Sequence, residues 1–249
     1  MLKNLLIFIP TYNERENVRK LSEEIEKLSL DADILFMDDN SPDGTGTILE
    51  ELAKKNLRLR VVHRAEKSGI GSAHLEGIRL AYHLGYEILI TMDCDFTHKP
   101  QDIPIFIRQA AQQDILIGSR YMARESLKDW NLFRKSLTTV GHWLTKHLLK
   151  MPYDATSAFR LYGLDRISSN LFDRVHSRGY AFFFESLYVL SLNNLVIKEL
   201  PIVPPSRTHG HSKMTWRDAF QSFSLLVATY FKKTTRMTGS HNLMTYARK

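Results

Sequence analysis

Ile88-Leu89-Ile90-Thr91-Met92-Asp93-Cys94-Asp95 is an apolar run that ends in two acids one residue apart. A near-continuous apolar stretch of this length suits a strand buried on both faces of a parallel sheet. Ligands of such sheets lie in the crevice beyond the carboxyl ends of the strands, which is where Asp93 and Asp95 would stand. Two carboxylates there suit a hard divalent ion, Mg2+ or Mn2+, shared with substrate phosphates. The other reading is a polar strand end with two solvated acids.

Outward from that run, the front half alternates strand and helix signals. Strands are expected at 5–9, 33–38, 59–63, 87–92 and 114–118, and helices at 16–28, 45–55, 72–84 and 100–111. Helix-sized segments between short apolar runs mean βαβ units, hence an α/β fold with a mostly parallel sheet and helices on both faces. Pro100 fits the first turn of its helix, where a missing N–H costs little. The back half is less regular. Helices are expected at 135–150, 165–173 and 182–193, and a strand at 195–200. Pro201, Pro204 and Pro205 then open a polar loop over 206–214. Residues 216–231 read as an amphipathic helix with Phe220, Phe223, Val227 and Tyr230 at helical spacing. Periodicity fades at Thr238, so 1–237 is expected to be one domain and 238–249 a loose tail.

The composition, 43% hydrophobic and 24% charged over 249 residues, is ordinary for a globular domain. A single cysteine excludes an internal disulfide framework. The apolar stretch at 5–9 is too short for a signal peptide, and no run reaches the roughly 18–20 apolar residues of a membrane-spanning helix. The net charge of +7 is uneven. Residues 1–118 hold 14 Lys and Arg against 19 Asp and Glu, whereas 119–249 hold 20 against 8. An acidic front suits a metal ion, and a basic back suits phosphates, nucleic acid or an anionic membrane face; the alternative is a solvated basic surface.

Three expected strands end in polar clusters, Pro10-Thr-Tyr-Asn-Glu14, Asp38-Asp-Asn-Ser-Pro-Asp-Gly-Thr45 and the Asp93/Asp95 pair. A parallel sheet brings all three to one edge, and that convergence is the physical argument for a site. Asp38 or Asp39 can accept the hydroxyls of a ribose or the N–H of a base. Asp43 either contacts ligand or caps the helix that starts near Thr45. Tyr12 either lies against a purine or is an ordinary half-buried tyrosine. Lys67-Ser-Gly-Ile-Gly-Ser72 matches neither standard phosphate loop; it reads as backbone packed near a nucleotide, with Lys67 adding charge, or as a flexible loop. The back half offers Arg120 after a strand, Trp130, Arg134 and Thr138 around a helix start, and Arg207, Gly210, Ser212 and Lys213 in the proline-bounded loop. Arginine forks match phosphate oxygens. His209 and His211 lack an evident third ligand, so they are not expected to bind metal.

In order along 5–231, the strings Ile9-Pro-Thr-Tyr-Asn-Glu-Arg-Glu-Asn17, Asp38 to Thr45, Met92-Asp-Cys-Asp95 and Gly118-Ser-Arg-Tyr121 recur in one known family. So do Trp130 with Arg134, Asp154-Ala-Thr-Ser-Ala-Phe-Arg-Leu-Tyr162, Gly179-Tyr180 with Glu185, and Arg207-X-X-Gly210-X-Ser-Lys213. The set resembles the family-2 nucleotide-sugar glycosyltransferases with the GT-A fold, and within them the polyprenyl-phosphate (dolichol-phosphate) mannosyltransferases. The resemblance implies a nucleotide-sugar half, 1–118, and an acceptor half, 119–237. It implies Pro10, Tyr12, Glu14 and Asp39 at the nucleoside of GDP-mannose, and Asp93 and Asp95 on metal and diphosphate. It implies Arg120, Arg134 and Thr138 at the lipid phosphate, with Arg207 and Lys213 on a mobile acceptor loop.

The chain departs from the family at Cys94 and Ala158, where relatives carry alanine and glycine, and at Phe182-Phe-Phe184. Thr97, with His98 beside it, stands where a third polar metal ligand often follows. Many relatives carry C-terminal membrane helices, and none is visible here. The expected reaction is inverting, metal-dependent transfer of mannose from GDP-mannose to a polyprenyl phosphate, with Asp95, Arg120, Arg134, Arg207 and Lys213 serving the chemistry. A phosphate nucleophile is already ionised, so no protein base is required. The expected location is cytoplasmic, peripheral at the cytosolic face of a membrane. The apolar faces of 135–150 and 216–231 either pack in the core or touch that membrane, or a separate membrane subunit supplies the contact; no nucleic-acid partner is expected. A UDP-sugar transferase to bacterial polyprenyl phosphate, a nucleotidyltransferase and a non-enzymatic binding module remain open as alternatives.

Overall fold

The computed structural model describes residues 4–123, 126, 132–205 and 215–246, without the side chains of 132–134, 137 and 232–246. In chain order the elements are β1 (Leu5–Thr11), α1 (Arg15–Glu26), β2 (Ala32–Asp38), α2 (Thr45–Ala53), β3 (Leu59–His63), α3 (Ile70–His83) and β4 (Ile88–Thr91). They continue with α4 (Ile103–Gln109), β5 (Ile115–Ser119), α5 (Leu132–Leu148), β6 (Arg160–Gly163), α6 (Phe182–Ser191), β7 (Ile197–Pro201) and α7 (Trp216–Tyr246). The described strands form one sheet in the order β3-β2-β1-β4-β6-β5-β7. All pairs are parallel except those of β6, which runs antiparallel to both β4 and β5. This is the mostly parallel α/β sheet expected from the sequence.

The apolar strands serve two cores at once. Leu6, Phe8, Leu35, Met37 and Leu89 face the layer of α3 and α6, together with Leu226 of α7. Leu5, Ile7, Ile9, Phe36, Ile90 and Met92 face α1, α2 and α4. Alternate residues feed opposite layers, and each fully buried Leu, Ile or Phe contributes roughly 1.5–3 kcal/mol. Helix α1 shows the matching pattern, burying Val18, Leu21 and Ile25 along one face.

Several expectations need correction. The strand β6 was not anticipated. It is four residues long and opens with Arg160, so it carries no apolar run. The helix expected at 165–173 is absent; a 3-10 turn, Ser169–Arg174, stands there. The amides of Arg166 and Ile167 both turn back to the Gly163 carbonyl, and Ser168 is extended, in a Ser-Ser-Asn stretch of low helix propensity. The helix expected at 100–111 is split into Pro100–Asp102, α4 and Ala110–Gln112; Pro104 in the first turn of α4 has no N–H to give the preceding turn, which accounts for the first break. Helix α7 runs to Tyr246, past Thr238; backbone hydrogen bonding along a helix does not require an amphipathic pattern. Of the residues read as its apolar stripe, Val227 and Tyr230 are half-buried, Tyr230 against the core, and Phe220 and Phe223 face outward. Leu226 is buried, whereas Trp216, Phe220, Phe223 and Phe231 are 72%, 71%, 50% and 61% exposed.

Candidate active site

The carboxyl ends of β1, β2 and β4 lie side by side, with Thr11 opposite Asp38 and Phe8 opposite Thr91. The amide of Asp39 donates to the Thr11 carbonyl at 2.9 Å, tying the first two ends together. Asn13 and Asn40 follow these ends with φ of 55° and 57°. Asparagine tolerates this left-handed geometry, which turns each chain sharply off the sheet. The three clusters read from the sequence therefore do meet at one edge.

Asp93 and Asp95 are both partly exposed there. The Thr97 amide and hydroxyl donate to Asp95 Oδ1 at 3.1 and 2.6 Å, and Phe96 between them is held at φ 61°, a strained value for an aromatic residue. The Asp93 amide donates to His98 Nδ1 at 2.9 Å. A ring nitrogen that accepts requires a neutral imidazole with its proton on Nε2. His98 is buried and stacked on Phe159, with centroids 5.3 Å apart. Thr97 and His98 thus brace the acid pair. Among the described residues no group of three or more His, Cys, Asp or Glu is placed to hold a metal. The donor set is two adjacent carboxylates at an open strand end, which fits an ion shared with phosphates and not a closed protein cage. Cys94 is buried in the opposite direction, against the α1 and α4 layer, which explains a small residue between the acids.

Asp38 and Asp39 point to opposite faces. Asp38 accepts from the Ser41 amide and hydroxyl at 3.0 and 2.5 Å, and lines a cleft of about 300 Å³ with Gly46, Glu50 and His63. Asp39 accepts from Arg64 Nη1 at 2.7 Å and from the amides of Ser68 and Gly69 at 3.1 and 3.2 Å. The glycine loop at 67–72 is therefore anchored on Asp39. Gly69 has φ 94°, and a Cβ there would lie 2.7 Å from the Arg178 carbonyl, so only glycine fits. Lys67 Nζ sits 3.9 Å over the Tyr12 ring, on the face read as a purine platform. Glu14 receives the Asn17 amide group at 2.6 Å, its own N–H donates to Thr45 Oγ1, and its carbonyl starts α1. Pro10 lies half-buried in β1. Asp43 accepts from the Thr45 amide and hydroxyl at 3.0 and 2.6 Å, an Asx-type turn that leads into α2, whose N-cap position is Gly44. Burial works against its charge, but the Thr45 bonds outweigh it and its pKa lies below the ordinary value.

On the basic side, Arg120 leaves β5 at the same edge. Its Nε and Nη2 donate to Asp154 Oδ2 and Oδ1 at 2.8 and 2.6 Å, its backbone amide to Oδ2 at 3.1 Å, and Nη2 also to Thr156 Oγ1 at 2.6 Å. Asp154 is fully buried, and its own amide donates to Glu199 Oε1 of β7 at 2.6 Å. Burial opposes both charges of the pair, and each partner more than offsets that: the guanidinium pKa is raised and the carboxyl pKa lowered. Burial raises the pKa of Glu199. The Asp93 charge also helps to keep Arg120 protonated, so the acid pair and this arginine feel one another. Tyr121 donates from its hydroxyl to the Thr138 carbonyl at 2.9 Å and stacks on His142 at 3.9 Å, which joins the end of β5 to α5. Arg134 lies one turn before Thr138 on the same helix face. Its side chain, and Trp130, Arg207, Gly210, Ser212 and Lys213, lie outside the described residues.

Sequence reasoning missed Asp154 and Glu199 as site groups and named His98 only as the neighbour of Thr97. Asp154 was legible only as a letter in a family string, because its role depends on β6 bringing it back to the edge of β4 and β5. Arg160 was missed too. It is fully buried and donates to the carbonyls of Ser157, Ala155 and Phe183 and to the hydroxyls of Tyr162 and Ser186.

Comparison with known proteins places the family and the fold. A family model described as glycosyl transferase family 2 matches residues 6–168. The chain is similar to an undecaprenyl-phosphate mannosyltransferase of Micrococcus luteus, 31% identical over 85% of this chain and 87% of that one. It is similar to a polyprenol monophosphomannose synthase of Mycolicibacterium smegmatis, 33% identical over 84% of this chain and 80% of that one. Its fold resembles the glucosyl-3-phosphoglycerate synthase of Mycobacterium tuberculosis, solved with Mn2+, UDP and glucosyl-3-phosphoglycerate. That match has a TM-score of 0.61 at 16% identity and covers 92% of this chain and 79% of that one. With a family match spanning most of the sheet and relatives above 30% identity over most of its length, the chain belongs to glycosyl transferase family 2.

Proposed function

We propose that this glycosyltransferase moves mannose from GDP-mannose to a polyprenyl phosphate, with inversion at the anomeric carbon, at the cytosolic face of a membrane. The observation that carries the reading is the meeting of two opposite devices at one sheet edge: an open carboxylate pair, Asp93 and Asp95, and a clamped arginine, Arg120. The names of the two mannosyltransferase relatives supply the sugar and the lipid class.

The acceptor phosphate oxygen attacks the anomeric carbon while the bond to the departing diphosphate breaks. The phosphate monoester is ionised at neutral pH, so no side chain has to remove a proton. The obstacle is repulsion between two anions. Unit charges 4 Å apart at an effective dielectric near 20 interact by about 4 kcal/mol. Asp93 and Asp95 would hold a divalent ion, Mg2+ or Mn2+, which when bound supplies Lewis-acid stabilisation of the leaving diphosphate. Thr97 and His98 keep the two acids in place. Arg120 directs hydrogen bonds to the acceptor phosphate, with Arg134, Thr138, Arg207 and Lys213 as its proposed companions. Pro10, Tyr12, Glu14 and Asp39 are proposed to hold the nucleoside. A nucleobase or ribose that takes Asp39 does so beside Arg64 and the Ser68 and Gly69 amides, and a purine that stacks on Tyr12 displaces Lys67.

No helix among the described residues is long and apolar enough to cross a membrane. Peripheral contact through the exposed aromatic side of α7, with Val140 and Trp143 exposed on α5, supports access to a lipid acceptor. Transfer to a short polyprenyl phosphate tests the reading, with GDP-mannose and UDP-glucose offered separately and with Mg2+, Mn2+ or EDTA. Metal-dependent transfer from GDP-mannose alone is expected. Transfer from UDP-glucose alone would move the enzyme to a glucosyl reaction on the same site, and transfer that survives EDTA would remove the role given to Asp93 and Asp95.

A further inference from the structure

A buried arginine near a phosphate site can serve in two ways. An unclamped guanidinium contributes net charge in any rotamer, whereas a clamped and neutralised one contributes direction. Arg120 is of the second kind. One carboxylate grips it at three points, Nε, Nη2 and its own backbone amide, so that side chain and main chain are fixed against each other. Bidentate forks of this type set geometry as well as energy. The grip is itself anchored. Asp154 is fully buried, Glu199 of β7 receives its amide, and Thr156 takes a further hydrogen of Nη2. The end of β5, the segment that leads into β6 and the middle of β7 therefore converge on the orientation of one guanidinium.

We propose that Asp154 is a positioning residue for the transfer, acting through Arg120: it cancels the net charge of that arginine and fixes the direction in which it meets the acceptor phosphate. The proposal rests on the mannosyl-transfer reading. Because the pair is neutral overall, it adds little to ground-state attraction of an anion, and its contribution lies in alignment during attack. Misplacement of an orienting group by about 1 Å can lower a rate by about 100-fold.

That division of labour makes an unusual kinetic prediction. Asp154→Asn releases the clamp and leaves Arg120 with its full charge. The acceptor KM is expected to stay level or fall, while kcat drops by roughly 10–100-fold. Affinity for GDP, titrated separately, is expected to remain within about twofold, since the acid pair and Asp39 are untouched. Arg120→Lys keeps the charge without the fork and should show the same loss. The double variant should be no slower than the slower single, because both changes remove one device. Thr156→Val, at an exposed position, removes the second acceptor of Nη2 and the long 3.4 Å bond from the Thr156 hydroxyl to Asp154 Oδ1, leaves the Asp154 fork on Arg120 in place, and should lower kcat by about threefold with KM unchanged; it carries the test if Asp154→Asn does not fold. Wild-type kcat in Asp154→Asn, or multiplied losses in the double variant, would overturn the proposal, as would wild-type kcat in Thr156→Val where Asp154→Asn cannot be obtained. Those outcomes leave the mannosyl reading intact provided the wild-type enzyme transfers mannose. A wild-type enzyme without transfer would sink that reading and this proposal with it.

Discussion

His74 is an imidazole sealed among Phe8, Phe182 and Phe183, at centroid distances of 5.4, 5.2 and 5.1 Å, and its Nε2 has no hydrogen-bond partner. Burial first, and the nearby Arg160 charge second, push its pKa down to about 3. A histidine whose folded pKa is depressed favours the folded state while it is neutral. Its contribution is complete above the unfolded pKa of about 6.5 and drains away as pH falls toward the folded value, by roughly 1.4 kcal/mol for each pH unit. Urea unfolding between pH 7 and pH 4 should therefore show stability falling with acid. His74→Phe, which fits the same aromatic box and removes an orphaned nitrogen, should flatten that slope and cost little at pH 7. An unchanged slope would show that other groups set the acid limit. Residues of this kind are illegible in a sequence, where a buried histidine and a solvated one look alike. Asp93 and Asp95 were legible because acids that end an apolar strand have one natural place to be. Asp154 and Glu199 were not, since their meaning depends on which strand ends meet.

At the scale of elements, α3 lies so close to β1 that a Cβ on Gly77 would run into the ring of Phe8. Phe8 is fully buried and in edge contact with His74, so it has nowhere to retreat. Gly77→Ala gains about 1 kcal/mol of helix propensity but overpacks the core at a cost of about 1–3 kcal/mol. The expected net effect is a lower urea midpoint at unchanged m-value; a raised midpoint would mean that α3 slides away freely. β1, β2, β4 and β5 were readable because burial on two faces writes a near-continuous apolar run, and the edge strand β3 by its short β-branched core Val61-Val62. The sixth is short, begins with a buried arginine satisfied by carbonyls and hydroxyls, and so imitates a loop. Helix α7 misled for a different reason. It is apolar on two sides, and periodicity alone does not say which side meets the core.

For the whole molecule, the aromatic side of α7 belongs to the half in which 20 basic residues face only 8 acidic ones. Apolar insertion and attraction to anionic headgroups would then act together. Phe220→Ser with Phe223→Ser should lower flotation with anionic vesicles by about tenfold or more, given roughly 1.5–3 kcal/mol for each buried phenylalanine, at unchanged thermal midpoint. Added salt should weaken the wild type further. Flotation indifferent to both would assign the contact to another surface or to a partner subunit. The reversed strand β6 has its own bearing on how the molecule comes into being. Domains are built from the N-terminus during synthesis, and until residues 160–163 emerge, β4 and β5 have no neighbour between them. A nascent chain paused before that point carries a bare apolar edge beside its finished acid pair, open to pairing with other chains. The few residues that fill the gap between β4 and β5 also deliver Asp154 to its place. Closing that edge and setting Arg120 are therefore one event in the life of the chain.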